Sequence, residues 1–375
     1  MKPIQMVDLK GQYLRAKTEI DAAIQHVLAS THFIQGESVA LFENNLSQYT
    51  GSKHVISCGN GTDALIAALM AIEIGPGDEI ITTPFTFIAT VEAIVLVGAK
   101  PVLVDVDEET FNLNPALLEK ALSPNTKAVI PVHLFGQCAD MSPILEIAKE
   151  HRLKVIEDAC QAIGTEYTFP DGTVKQAGTM GDIGCISFFP SKNLGGYGDG
   201  GALMTDNDFL ANRLKSICRH GSSERYKHDL IGFNSRLDTI QAAILNVKLN
   251  YLNEYIKARQ QAAKFYKSEL CKLNWLKLPS SVPYSTHTCH QFTVRILNGN
   301  RDKLKSYLKE KGIPSAVYYP CPVHLQTAYK FLNHRAGDFP VCEQLSQEVL
   351  SLPMHTELST EQLQYICQSI VNSPL

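Results

Sequence analysis

One lysine stands out for its surroundings. Lys192 lies between an apolar run ending at Phe189 and glycines at 195, 196, 198, 200 and 201, in the stretch SFFPSKNLGGYGDGGAL. A strand would deliver such a lysine to a fixed place. The glycines would let backbone pass close to a neighbour or turn with positive φ. A lysine amine held near an aldehyde, and able to lose its proton, forms a Schiff base. Taken alone, Ser-Lys-Asn also reads as a surface lysine in a turn.

Two further stretches bear on that choice. Gly59-Asn60-Gly61-Thr62-Asp63-Ala64-Leu65 follows a strand-like run, His54–Cys58, and opens an apolar helix. Strand, glycine-flanked turn and helix start together offer free backbone N–H groups to a phosphate. Thr62 either caps that helix or turns its hydroxyl to the phosphate. In Glu157-Asp158-Ala159-Cys160-Gln161, an aspartate ends a buried strand, which is costly unless the carboxylate is paired. It either caps a helix or pairs with a protonated pyridine nitrogen, with Gln161 close enough to reach the ring or its phenolic oxygen. A Schiff-base lysine, a phosphate turn and a pyridine partner describe a pocket for pyridoxal 5'-phosphate (PLP), with Lys192 as its anchor.

The bulk composition excludes other classes. Across 375 residues, 45% are hydrophobic and 19% charged, which is ordinary for a globular chain. The net charge of −4, from 34 basic and 38 acidic residues of mixed placement, gives no reason to expect nucleic acid. Ten cysteines without a CxxC pair or metal-ligand spacing read as free thiols in a reducing compartment, with no metal. No apolar run approaches the about 18 residues of a membrane span, and the amino-terminal stretch lacks a signal-peptide core. A cytoplasmic enzyme away from membranes is the expectation.

The elements that must position these residues alternate. Strands are predicted at 54–58, 79–82, 101–105, 127–132, 154–157, 183–188 and 202–205. Helices are predicted at 13–29, 38–49, from Gly61 to Ile74, through Val97, at 114–122, 140–151 and 209–218. This predicts an α/β domain with a mixed, mostly parallel sheet flanked by helices, whose ligands sit at the carboxyl ends of strands. A hairpin is predicted within 166–177. A long polar loop at 219–238 leads into one helix from 238 to about 270. Beyond it a small α+β domain is predicted, with strands at 291–296 and 315–319 and helices at 301–311, 341–350 and 359–371. The boundary falls near residue 250, giving a large domain over 1–250 and a small one over 251–375.

GNGTDAL, EDACQAIG, SFFPSKNLGGYGDGG, GFNSRLDTIQAAIL and YYPCPVHLQ occur in that order. The set resembles the DegT/DnrJ/EryC1/StrS sugar aminotransferases, which have the PLP fold type I. The opening MVDLKGQY, the hairpin and the NSRLDTIQAAIL run most resemble enzymes that aminate C3 of UDP-2-acetamido-2-deoxy-3-oxo-D-glucuronic acid. The resemblance implies that Lys192 binds PLP and Asp158 pairs with its ring nitrogen. It implies that Gly61, Thr62, Asp63 through its backbone, and Ser187 hold the phosphate. Phe87 would stack on the ring, and Gln161, where some members carry histidine, would lie near the phenolic oxygen. Asn234 would reach the phosphate from the partner subunit, so that a homodimer shares its active sites. Tyr318, Tyr319 and His324 would contact the nucleotide sugar, and Arg236 would receive a sugar carboxylate. L-glutamate is the implied amino donor, and lipopolysaccharide or another surface polysaccharide the implied destination.

Other readings remain at this stage. The same residues could aminate a dTDP- or UDP-linked 3- or 4-keto-6-deoxy sugar. A non-catalytic regulator or scaffold on the PLP fold is a different class, disfavoured because Lys192, Asp158 and the phosphate turn stand together. A dinucleotide binder is disfavoured because the GNGT turn lacks G-x-G-x-x-G spacing.

Overall fold

In the computed structural model, which describes residues 2–375, three helices lead in: α1 (Leu9–Arg15), α2 (Lys17–Ser30) and α3 (Glu37–Thr50). Strands and helices then alternate: β1 (His54–Cys58), α4 (Gly61–Ala71), β2 (Glu79–Thr82), α5 (Ala89–Leu96), β3 (Lys100–Leu103), β4 (Thr126–Val129), α6 (Met141–Glu150) and β5 (Lys154–Asp158). The hairpin β6 (Glu166–Thr168) and β7 (Val174–Gln176) precedes β8 (Ile183–Ser187), β9 (Gly201–Thr205) and α7 (Asp208–Ile217). A second hairpin, β10 (Ser222–Glu224) and β11 (Lys227–His228), leads to α8 (Thr239–Leu249) and α9 (Leu252–Leu270). The chain closes with β12 (Leu276–Lys277), β13 (Phe292–Ile296), α10 (Arg301–Glu310), α11 (Pro340–Glu348), β14 (Val349–Leu352) and α12 (Thr360–Val371).

The seven-stranded sheet has the order β1-β9-β8-β5-β4-β2-β3. Every neighbour pair is parallel except the two made by β9. Side chains alternate across it, as a sheet buried on both faces requires. Val155, Ile186, Ala202 and Met204 enter one core with Phe42 of α3, Ile144 of α6 and Leu245 of α8. Ile156, Ile183, Cys185 and Leu203 enter the other with Leu65 of α4, Ile94 of α5 and Leu214 of α7. The layers are therefore helix, sheet, helix. A second, three-stranded antiparallel sheet, β12-β13-β14, packs with α9, α10 and α12, and Ile4 from the amino-terminal stretch joins that core.

Several expected elements differ. The helix predicted over 13–29 is two, α1 and α2, parted at Ala16. The helix predicted from 238 to 270 breaks at Asn250–Tyr251: α8 buries its apolar face in the large core, and α9 turns to serve the carboxy-terminal one. The predicted helix at 114–122 is two 3-10 turns with Pro115 at the first position. The predicted strand at 315–319 makes only the bridge Ala316–Ser351; Pro314 and Pro320 on either side lack the N–H a ladder needs. The helix predicted to reach residue 350 stops at Glu348, because Val349–Leu352 pairs with β13. Among the described residues no helix is long and apolar enough to cross a membrane.

Candidate active site

Because β1, β5 and β8 run the same way, Cys58, Asp158 and Ser187 end at one edge of the sheet. Antiparallel β9 begins there, with Gly201 paired to both Cys58 and Ser187. The turn after β1 crosses directly over that glycine. A Cβ at Gly201 would come within 2.5 Å of the Asn60 carbonyl and 3.0 Å of the Gly61 nitrogen. None of the glycines from 195 to 201 has a positive φ, so of the two uses expected of them, close approach is the one realised.

The start of α4 corrects the expected cap. Asn60, not Thr62, is the N-cap, and its side-chain oxygen accepts from the Asp63 amide at 2.8 Å. Thr62 sits one turn position inside the helix with its hydroxyl uncommitted. The amides of Gly61 and Thr62 have no partner among the described residues, whereas that of Asp63 is engaged by the cap. The Asp63 carboxylate instead accepts from the Ser235 hydroxyl at 2.7 Å, and that hydroxyl accepts from the Gly59 amide at 2.9 Å. Ser235 thus braces the turn from the loop after α7. Ser187 lies against it, since a Cβ at Gly61 would meet the Ser187 Cβ at 2.8 Å and the Cys160 sulfur at 3.0 Å.

Asp158 is buried at the end of β5. Its Oδ2 accepts from the Thr90 hydroxyl at 2.7 Å and its Oδ1 from the Cys160 amide at 3.2 Å. Glu157, one residue earlier, points to the opposite face. There it accepts from the Nε2 of buried His133 at 2.8 Å and from the amides of Gly178, Met180 and Gly181 at 2.7, 2.5 and 2.6 Å. The Ala139 amide donates to His133 Nδ1 at 3.1 Å, which places the ring proton on Nε2. This network pins the strand end that carries Asp158.

Lys192 follows a turn closed by its own amide on the Phe189 carbonyl at 2.8 Å. Burial lowers its pKa from the ordinary lysine value, opposed by the charges of Cys160 and Asp158. Its neutral amine is therefore easier to reach than a surface lysine's. The adjacent Cys160 thiol is pushed well above its usual range by burial, and Asp158 pushes it in the same direction.

The opposite wall comes from the carboxy-terminal part. Gln161 accepts from the Phe135 amide at 2.9 Å and donates to the Tyr319 hydroxyl at 3.1 Å. Burial raises the Tyr319 phenol, so it stays protonated. The Phe87 ring is exposed, with its centre 6.4 Å from that of Tyr319. Tyr318 is half-buried, 6.0 Å from Tyr319 ring to ring. His324, the third residue expected to contact the nucleotide sugar, is held from within the protein. It is buried, its Nε2 lies 3.0 Å from Glu343, and its ring packs 4.7 Å from Phe339. Asn234 is exposed and Arg236 partly so, and neither side chain has a hydrogen bond or ion pair among the described residues.

Sequence reasoning brought together Lys192, Asp158, Gln161, Ser187 and the turn at Gly61–Thr62. It missed Thr90, Ser235 and the Asn60 cap. Asn60 alone had a local signal, being a favoured cap residue before an apolar helix.

The donors fit PLP. Unpaired helix-start amides with Thr62 and Ser187 suit a phosphate, buried Asp158 suits a cationic ring nitrogen, and a desolvated lysine suits an aldehyde. Among the described residues no group of His, Cys, Asp and Glu could hold a metal ion. The family model of the DegT/DnrJ/EryC1/StrS aminotransferases matches residues 15–371. A "pleiotropic regulatory protein" of Geobacillus stearothermophilus is 46% identical over 98% of this chain and 97% of its own. The UDP-2-acetamido-2-deoxy-3-oxo-D-glucuronate aminotransferase of Pseudomonas aeruginosa is 44% identical over 98% of this chain and all of its own. A UDP-N-acetyl-3-dehydro-alpha-D-glucosamine 3-aminotransferase of Acidithiobacillus ferrooxidans is 45% identical over 98% and 97%. The solved structure of S. venezuelae DesV with a ketimine intermediate superposes with a TM-score of 0.95 at 38% identity, covering 99% of this chain and 98% of that one. NtdA of Bacillus subtilis with bound PMP superposes at 0.91 with 31% identity, covering 100% and 85%. A sheet edge built around Lys192, matched over its whole length by such proteins, is that of a PLP-dependent sugar aminotransferase, and the chain belongs to the DegT/DnrJ/EryC1/StrS aminotransferase family.

Proposed function

We propose that the enzyme moves the amino group of L-glutamate to C3 of UDP-2-acetamido-2-deoxy-3-oxo-D-glucuronic acid, for a surface polysaccharide. The carrying observation is the pairing of a desolvated Lys192 with buried Asp158 at one sheet edge. Two relatives at 44% and 45% identity are named for amination at C3 of a UDP sugar, which supports the substrate.

Within this reading the free amides of Gly61 and Thr62, with the Thr62 and Ser187 hydroxyls, bind the phosphate, and Asp158 holds the ring nitrogen's proton. PLP, when bound, supplies an electron sink for charge developing at the carbon that loses its proton. Lys192 Nζ takes the proton from Cα of glutamate and returns one to complete the transfer. One water is consumed as glutamate leaves as 2-oxoglutarate, and one is released as the sugar's C3 carbonyl takes up the amino group, the same residues acting in reverse order. Gln161 and Tyr319 form a hydrogen-bonded wall beside the ring's phenolic oxygen. Arg236 binds the sugar carboxylate, and Asn234 completes the phosphate site of a partner subunit.

The test is the absorbance spectrum of the purified protein. A visible band of bound PLP that bleaches with L-glutamate and returns with the keto-sugar nucleotide is expected. A protein that takes up no PLP, or whose band ignores every amino donor, would refute the proposal and favour the regulatory reading that the Geobacillus relative's name suggests.

The Acidithiobacillus relative's sugar is named without a carboxylate, so Arg236 separates the two substrates. Arg236→Ala is expected to raise KM about 10- to 100-fold for the uronic acid sugar, the value of a charged hydrogen-bonded pair, and about twofold at most for the neutral one. Steady-state kinetics on both sugars decide it. Equal changes would remove the carboxylate role.

A further inference from the structure

Asp158 is held by a hydroxyl chain that its pairing with a ring nitrogen does not by itself require. The Thr86 hydroxyl lies 2.9 Å from that of Thr90, which lies 2.7 Å from Asp158 Oδ2. We propose that Thr90 is the positioning residue that orients the Asp158 carboxylate, with Thr86 directing the Thr90 proton; this rests on the reading of Lys192 and Asp158 as the PLP pair.

The Thr90 hydroxyl has one proton and three acceptors in reach, Asp158 Oδ2 at 2.7 Å, the Thr86 hydroxyl at 2.9 Å and the Phe87 carbonyl at 3.3 Å. The shortest, charge-assisted bond takes it. Thr86 must then be the donor to Thr90, because a hydroxyl carries a single hydrogen. Donors lined up in this sense polarise one another toward the carboxylate. All three side chains are buried, so water does not replace a bond that is lost.

On its other oxygen the carboxylate takes the Cys160 amide at 3.2 Å. It is therefore gripped from two elements, the segment entering α5 and the turn after β5, and cannot swivel. A carboxylate fixed in this orientation is what a protonated ring nitrogen needs opposite it. Phe87 lies between the two threonines in the chain, so the same bonds hold the backbone of the candidate stacking residue.

The experiment compares wild type, Thr90→Val and Thr90→Ser, each with and without Asp158→Asn. The readouts are PLP affinity, the pH midpoint of the visible band and the melting temperature without cofactor. Thr90→Val keeps the shape but not the donor. It is expected to weaken PLP about 10- to 100-fold. It also moves the midpoint upward, because a ring nitrogen that keeps less positive charge depresses the Lys192 group less. Thr90→Ser restores both, and with Asp158→Asn present Thr90→Val adds about twofold at most. A Thr90→Val protein with wild-type affinity and midpoint would overturn the proposal. So would a Thr90→Ser protein as impaired as Thr90→Val, which would leave only packing of the methyl, or effects that simply add to those of Asp158→Asn. Failure of wild type itself to bind PLP would instead overturn the reading of the pocket.

Discussion

Lys192→Ala is expected to lower the rate of each half-reaction by about 10⁴-fold, the upper range for a lost general acid–base group, while the protein still binds PLP. Under the proposed function two roles go together: the amine that anchors the cofactor, and the base that moves the Cα proton. Binding is expected to survive because the proposed phosphate and ring contacts come from other elements, the α4 turn, Ser187 and Asp158. The neutral amine is the working form. Burial lowers the Lys192 pKa below the ordinary lysine value, so the fraction able to accept a proton at neutral pH is larger than for a solvated lysine. Single-turnover mixing with L-glutamate, followed by absorbance, measures the effect. A Lys192→Ala protein that turns over at the wild-type rate would remove the lysine from the mechanism. Adding a small primary amine should return part of the lost proton transfer, since the space left by the side chain faces the same carbon.

Asn234→Asp is expected to be the second most damaging change, lowering PLP affinity by at least about 10²-fold. It sets a carboxylate against a phosphate dianion in place of a hydrogen-bond donor. The exposed, unpartnered Asn234 beside Ser235, which braces the phosphate turn of its own subunit, is the reason to look there. If the residue serves the neighbouring subunit, mixing inactive Lys192→Ala and Asn234→Asp proteins should restore activity. Random pairing leaves about a quarter of the sites with an intact Lys192 and an intact Asn234. Phe189 and Ile231, on segments that border the site, are exposed apolar side chains in the single chain. A mixture no more active than its components would place Asn234 outside the site, and sedimentation as a monomer would discard the shared-site dimer altogether.

Much of the architecture was legible because it rests on short-range signals. Strands such as His54–Cys58 and Glu79–Thr82 are apolar runs punctuated by turn residues, and they fold where that pattern puts them. The errors fell where a distant partner outweighs local preference. Val349–Leu352 looks like the end of a helix until β13 offers a ladder, and α8 and α9 read as one helix until two different cores claim their faces. The burial of His324 against Glu343 and Phe339 likewise has no local signal.

The sequence by itself determined which residue types stand where. A lysine next to glycines, an aspartate ending a buried strand and a glycine-flanked turn at a helix start can be read from residue type and neighbours, each with a plain structural alternative. Only the tertiary structure decided how they are set. Parallel strand order brings residues 61, 158 and 187 to one edge. Burial, which belongs to no single stretch, lowers the pKa of Lys192. Thr90, 68 residues away along the chain, orients Asp158 through a bond that no local pattern announces, because hydrogen-bond partners in a packed interior are chosen by proximity in space.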